Sequence, residues 1–149
     1  MKNINLIFTI VILMFNASLF AQQEPKEIVE KFFKEFEEKS IAIALDNLYE
    51  QNKWISRSSD AIIQLKSQME GLNKDFVGEY YGYELILEKN INNSYKLMSY
   101  LVKYNRQPIR FTFQFYRPND TWRIQSFQYD GNIDDELEEK AKLYHYRMN

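Results

Sequence analysis

Proton transfer and metal binding call on side chains that this chain supplies sparingly. It has one histidine, His145, four residues from the end, and no cysteine, so it offers no thiolate nucleophile, no thiolate metal ligand and no disulfide. A carboxylate becomes a general acid or base near neutral pH when burial raises its pKa. The candidates are Glu84 and Glu88 in a strand-like stretch and Asp46 in a helix-like one. Alternation sets Glu84 and Glu88 opposite Tyr83, Leu85 and Leu87, hence toward solvent if that apolar side is buried. Asp46 lies beside Leu45 but off the stripe of Leu45, Leu48 and Tyr49. No catalytic residue is therefore expected. The cluster Asp134, Asp135, Glu136 reads as a helix start rather than a ligand set, and the four glycines form no phosphate-binding loop. Neither a metal nor a cofactor is expected.

The aromatic residues are the better lead, with 11 Phe, 11 Tyr and 2 Trp. Between Pro108 and Tyr129, Ile109, Phe111, Phe113 and Phe115 alternate with Arg110, Thr112, Gln114 and Tyr116. Pro118, Asn119 and Asp120 then punctuate the chain before a second alternating run from Trp122. Run, turn and run predict an antiparallel hairpin. In the second run Trp122 and Ile124 share one side while Phe127 and Tyr129 share the other, which predicts a bulge near Ser126. In the preceding strand both sides are apolar. Grouping Leu97, Ser99 and Leu101 with Phe111, Phe113 and Phe115 as the buried side leaves Tyr100, Tyr104, Arg110, Gln114 and Tyr116 facing out, beside Met98 and Thr112. Tyr and Arg are enriched where interfaces concentrate their energy, so this face is expected to bind a protein partner or a second copy. Glycan stacking would use the same residues, and the chain's own terminal helix could cover them instead.

The elements that must position this face follow in order. Glu24 and Pro25 open an amphipathic helix with Ile28, Val29, Phe32, Phe33 and Phe36 on one stripe. Ser40 caps a second helix that ends near Asn52, and Ser58 or Ser59 caps a third with Ile62, Leu65, Met69 and Leu72, ending at Gly71 to Asn73. Trp54, in the connection between these two, is expected to plug the end of the core rather than to serve as a ligand platform. Asp75 to Gly78 is a connector. Strands are predicted over 79–89, with Tyr81, Tyr83, Leu85 and Leu87 on one side and a bulge or bend at Gly82, and over 95–104. The fold class is α+β: three N-terminal helices packed on a bent, four-stranded antiparallel meander. A short C-terminal helix follows over 134–149.

Lys2, the apolar run from Ile4 to Phe15 and the small residues ending at Ala21 have the layout of a secretory signal peptide over 1–21. The apolar run is well short of the roughly 20 residues a spanning helix needs, so no integral membrane segment is expected in the mature chain. Export to the periplasm or the medium is. Removing 21 of 149 residues leaves 128, with one domain over 22–133 before the tail. The mature chain has 18 basic and 21 acidic residues, a net charge of −3 with no basic cluster, which disfavours nucleic acid.

The helix with Ile28, Val29, Phe32, Phe33 and Phe36, the Trp54 connection and the strands from Tyr83 to Tyr129 together resemble the NTF2-like group of cystatin-like α+β folds, and in particular its small exported bacterial members of unassigned activity. The resemblance rests on element order and covers nearly all of the mature chain. It implies a cone between helices and sheet, where enzymes of the group place a carboxylate or a His–Asp pair. It also implies that a fold of this kind serves many functions. Two readings follow. One is a non-catalytic exported module that binds a partner or itself through the outer sheet face. The other is a small-molecule binder or enzyme using the cone, with Tyr83, Ser99 and Ser126 as pocket residues.

Overall fold

A computed structural model describes residues 23–55, 57, 59–135 and 137–138. The expected signal segment and the chain beyond Glu138, His145 included, lie outside the described residues. Of the expected C-terminal helix, Ile133 to Asp135, Leu137 and Glu138 are described and helical.

Helix α1, Pro25–Glu38, starts as its sequence predicts, with Pro25 in the first turn and a capping box in which Glu27 accepts from the Glu24 N–H at 3.2 Å. Its stripe of Ile28, Val29, Phe32 and Phe33 is buried. Helix α2, Ile41–Glu50, is capped by Ser40, whose Oγ accepts from the Ile43 N–H at 3.2 Å. Helix α3, Asp60–Glu70, buries Ile62 and Met69. The expected connector contains a single-turn helix α4, Lys74–Val77, which Asn73 caps. Gly78 closes it at φ +89°, where a Cβ would fall 2.8 Å from the Asn105 Cβ, so both the backbone angle and the space call for glycine.

The sheet is the expected meander, β1 Tyr80–Ile91, β2 Tyr95–Tyr104, β3 Ile109–Tyr116 and β4 Arg123–Asp130, antiparallel in the order β1-β2-β3-β4. Residues directly opposite in an antiparallel pair share a face, so the register assigns every side chain. Val102, Tyr100 and Met98 face Ile109, Phe111 and Phe113, and Phe111 and Phe113 face Tyr129 and Phe127. This is the inner face, against which Phe32, Phe33 and Phe36 of α1 pack. Phe32 lies 5.1 Å from Phe113 edge to face, and the Phe33 ring stacks at 3.7 Å on Tyr83.

The inward set of β3 is as predicted, but β2 has the opposite parity. Tyr100 is 5% exposed and Tyr104 is packed against the core, so neither belongs to the outer face. Leu97, Ser99 and Leu101 lie there instead, opposite Gln114, Thr112 and Arg110. With apolar residues on both sides of β2, alternation alone did not choose. The inner side gains the larger rings and the outer side carries Lys103, paired with Glu84.

Strand β1 departs from simple alternation twice. The register slips by one residue at Tyr81–Gly82, the expected bulge, where Gly82 has φ +96°, and again at Ile86. The second slip turns Leu87 outward, opposite Ser99, and brings Glu88 to the inner side, opposite Met98. Both placements reverse the expectation, because one inserted residue exchanges the faces. The bulge predicted near Ser126 is present as well: Ser126 pairs with Gln114 and Ile124 with Phe115, leaving Gln125 as the extra residue. It lets Trp122 and Ile124 share the inner face with Phe127 and Tyr129. Trp122, 4% exposed, is the buried indole, whereas Trp54 is 73% exposed and plugs nothing. Its segment reaches β4 through polar bonds rather than by burying the ring.

Candidate functional site

Three places carry side chains able to bind. The first is the outer face of the sheet, whose polar residues are tied in cross-strand pairs. Tyr95 Oη donates to Gln114 Oε1 at 2.8 Å, Ser99 and Thr112 bond at 3.3 Å, and Arg110 holds Asp130 through Nη2 at 2.9 Å and Nε at 3.2 Å. Between them Leu87, Leu97 and Leu101 are half-buried, and Ile91 at the end of β1 is 68% exposed. Of the five residues expected to bind a partner, Arg110, Gln114 and Tyr116 are here, while Tyr100 and Tyr104 are on the opposite side. Ser126 faces outward across from Gln114. Ser99, although 1% exposed, also lies on this side of the sheet, walled in by its neighbours. Neither serine points into the space between helices and sheet.

That space is filled by rings. Phe32, Phe33, Phe111, Phe113, Phe127 and Tyr100 close it, and at its mouth lies a cleft of about 330 Å³ lined by Lys26, Glu30, Tyr83, Leu85, Glu88, Met98 and Tyr100. Tyr83 is the one expected pocket residue found there. Burial raises the Tyr83 phenol above its usual range, helped by the carboxylates of Glu30 and Glu37. Tyr100 is raised the same way, with Tyr83, Glu88 and Glu30 adding to burial. Both phenols stay protonated at neutral pH and are available as donors. The carboxylate considered for catalysis here, Glu88, is bound to Lys96 at 2.8 Å. Asp46 is likewise held by Lys66 at 2.8 Å and Glu84 by Lys103 at 2.7 Å. These are structural pairs. Among the described residues no three acidic or histidine side chains come together to hold a metal.

The third place was not foreseen. At the β3–β4 end, Asn52, Trp54, Ile55, Tyr116, Arg123 and Gln125 line an open cleft of about 460 Å³. Asn52 builds it. Its Nδ2 donates to the Ile124 carbonyl at 2.6 Å and its Oδ1 accepts from the Trp54 N–H at 3.1 Å, which pins the connection after α2 to the bulged strand. Tyr49 adds a second tie, its Oη accepting from the Phe127 N–H at 3.2 Å. Further hollows flank this cleft, one of about 560 Å³ over Asp46, Glu50, Lys53 and Arg57 and one of about 500 Å³ beside Pro118 to Thr121. The signals that mark this end are the bulge at Gln125 and the alternation of Tyr116 and Arg123 across the turn. Trp54 carried no periodic signal, since it belongs to neither helix.

Among the described residues no helix is long and apolar enough to cross a membrane. Comparison with protein-family models, with curated proteins and with solved structures finds no match to this chain.

Proposed function

We propose that this protein is an exported, non-catalytic module of NTF2-like architecture that binds a protein partner or a second copy of itself through the outer face of its sheet. The order of helices followed by a meander supports the architecture, and the signal-like segment supports export. The observation that carries the binding role is the apolar centre of Leu87, Leu97 and Leu101, with Ile91 at its end, surrounded by polar side chains already fixed by Arg110–Asp130 and Tyr95–Gln114. Interfaces share this plan of apolar core and polar rim, and fixed side chains lose little entropy on binding. Leu101→Glu places a charge at that centre without touching the ring core. The expected result is a dimer, or a complex with a purified partner, that dissociates in the variant while circular dichroism stays unchanged. A wild-type protein that sediments as a strict monomer and keeps no partner whose retention the variant abolishes would sink the proposal.

A second reading draws on the cleft at the mouth of the cone. Two protonated phenols beside Glu30 and Glu88 suit a small ligand with a donor group and an apolar body. Binding there would be lost in Tyr83→Ala and untouched by Leu101→Glu, so one pair of variants separates the two readings.

A further inference from the structure

We infer that the Trp54–Tyr116 cleft is a carbohydrate site for an acidic sugar, a pyranose ring that bears a carboxylate, as a uronic acid residue does. The inference does not rest on the outer-face reading, although Tyr116 and Arg123, opposite each other in the register, both lie on the outer side of the sheet. A volume of about 460 Å³ fits one or two sugar rings, and its openness suits a residue within a polymer.

The walls supply the first half of the recognition. Trp54 is 73% exposed and Tyr116 36%, and neither fills the core, a task that falls to Trp122 at this end. A pyranose presents a flat patch of C–H bonds, weakly positive at hydrogen, that packs on the negative face of an aromatic ring. The Trp54 backbone is already held by Asn52, itself anchored to Ile124, so the platform is placed before a ligand arrives. The bulge in β4 leaves Gln125 unpaired across the strands and exposed beside Arg123, where its amide can both donate to and accept from ring hydroxyls.

The charges supply the second half. Arg123 lines the cleft, its guanidinium 5.6 Å from the centre of the Tyr116 ring, while Lys53, which lines the adjoining hollows, has its Nζ 5.1 Å from that of Trp54. Neither cation has a carboxylate partner among the described residues, although the chain as a whole is net negative and its other ion pairs are numerous. Arg123 is only half-buried where it lines the cleft, so its guanidinium has N–H groups to offer an incoming carboxylate oxygen. A peptide would draw affinity from pairing its backbone with a strand edge. Beside the cleft the edge groups of Ile124 and Phe127 are already taken by Asn52 and Tyr49, which turns the site away from that mode.

The test titrates the purified protein with tri-galacturonate, with neutral galactotriose and with triglutamate, following binding by calorimetry and the two indole N–H signals by NMR. The expected result is binding of tri-galacturonate alone, with the Trp54 signal moving and the Trp122 signal still. Trp54→Ala, an exposed position whose loss leaves the core intact, should weaken binding about tenfold or more. Arg123→Gln should weaken tri-galacturonate until it is no better than galactotriose. Equal affinity for the neutral sugar would overturn the role of the carboxylate, equal affinity for triglutamate would overturn the role of the sugar ring, and silence toward all three would overturn the site.

Discussion

The two faces of the sheet are built on different principles from the same strands. Inside, rings touch rings: Phe33 meets Tyr83, Tyr100, Phe111 and Phe113, and Phe32 meets Phe111, Phe113 and Phe127. Such packing is specific, because a close-packed interior does not absorb a change of volume. Outside, the strands are linked by polar pairs reaching from one strand to the next, with half-exposed leucines between them. An outer position can change at little expense to the fold.

Substitutions on the two faces should therefore differ sharply. Phe113→Ala removes a fully buried ring that touches helix and strand alike, and a loss of about 3–5 kcal/mol is expected in urea denaturation. A loss below about 1 kcal/mol would mean that the inner face is far looser than its ring distances imply. The next effect is one of pH and again belongs to the inner side. Burial pushes the Tyr104 phenol up from 10.0 to about 12, and Tyr80 and Tyr100 shift in the same direction. The folded state thus keeps protons that the unfolded chain releases. Stability from this source is complete below pH 10 and is lost as pH rises from there through about 12. Tyr104→Phe should flatten that decline without altering stability near neutrality, and an equally steep decline in the variant would assign it elsewhere. The smallest effect is on the outer face. Gln114→Ala frees the Tyr95 hydroxyl to bond to water and should cost only about 0.5–1 kcal/mol, so a loss as large as that of Phe113→Ala would erase the distinction between the faces.

Much of the architecture was legible because its signals are local and redundant. The α1 stripe, the Ser40 cap, the parity of β3 and the bulges at Gly82 and beside Ser126 each follow from a few adjacent residues. The failures share a cause: they depend on a neighbouring element. For β2 the choice of face lay in its pairing with β1 and β3, since Met98, Tyr100 and Val102 are as apolar as Leu97 and Leu101. In β1 the unbroken run Leu85, Ile86, Leu87 was the trace of the second slip, and reading it as alternation put Leu87 and Glu88 on the wrong sides. The roles of the tryptophans turned on which one a polar residue, Asn52, would tie to β4, a contact 72 positions apart in the chain. Of the candidate binding residues, Arg110, Gln114 and Tyr116 were readable from β3 alone, while Arg123 and Gln125 needed the fold to bring Trp54 beside them.

The slips in β1 bear on how copies of this protein can associate. Strands extend a sheet by matching a regular row of amide groups along its rim, and each inserted residue throws that row out of step. Two insertions within β1 interrupt the row at Tyr81–Gly82 and at Ile86, and on the far rim Asn52 and Tyr49 occupy backbone groups of β4. Neither rim offers a long uninterrupted template, so fibril-like growth by strand addition is checked at both ends.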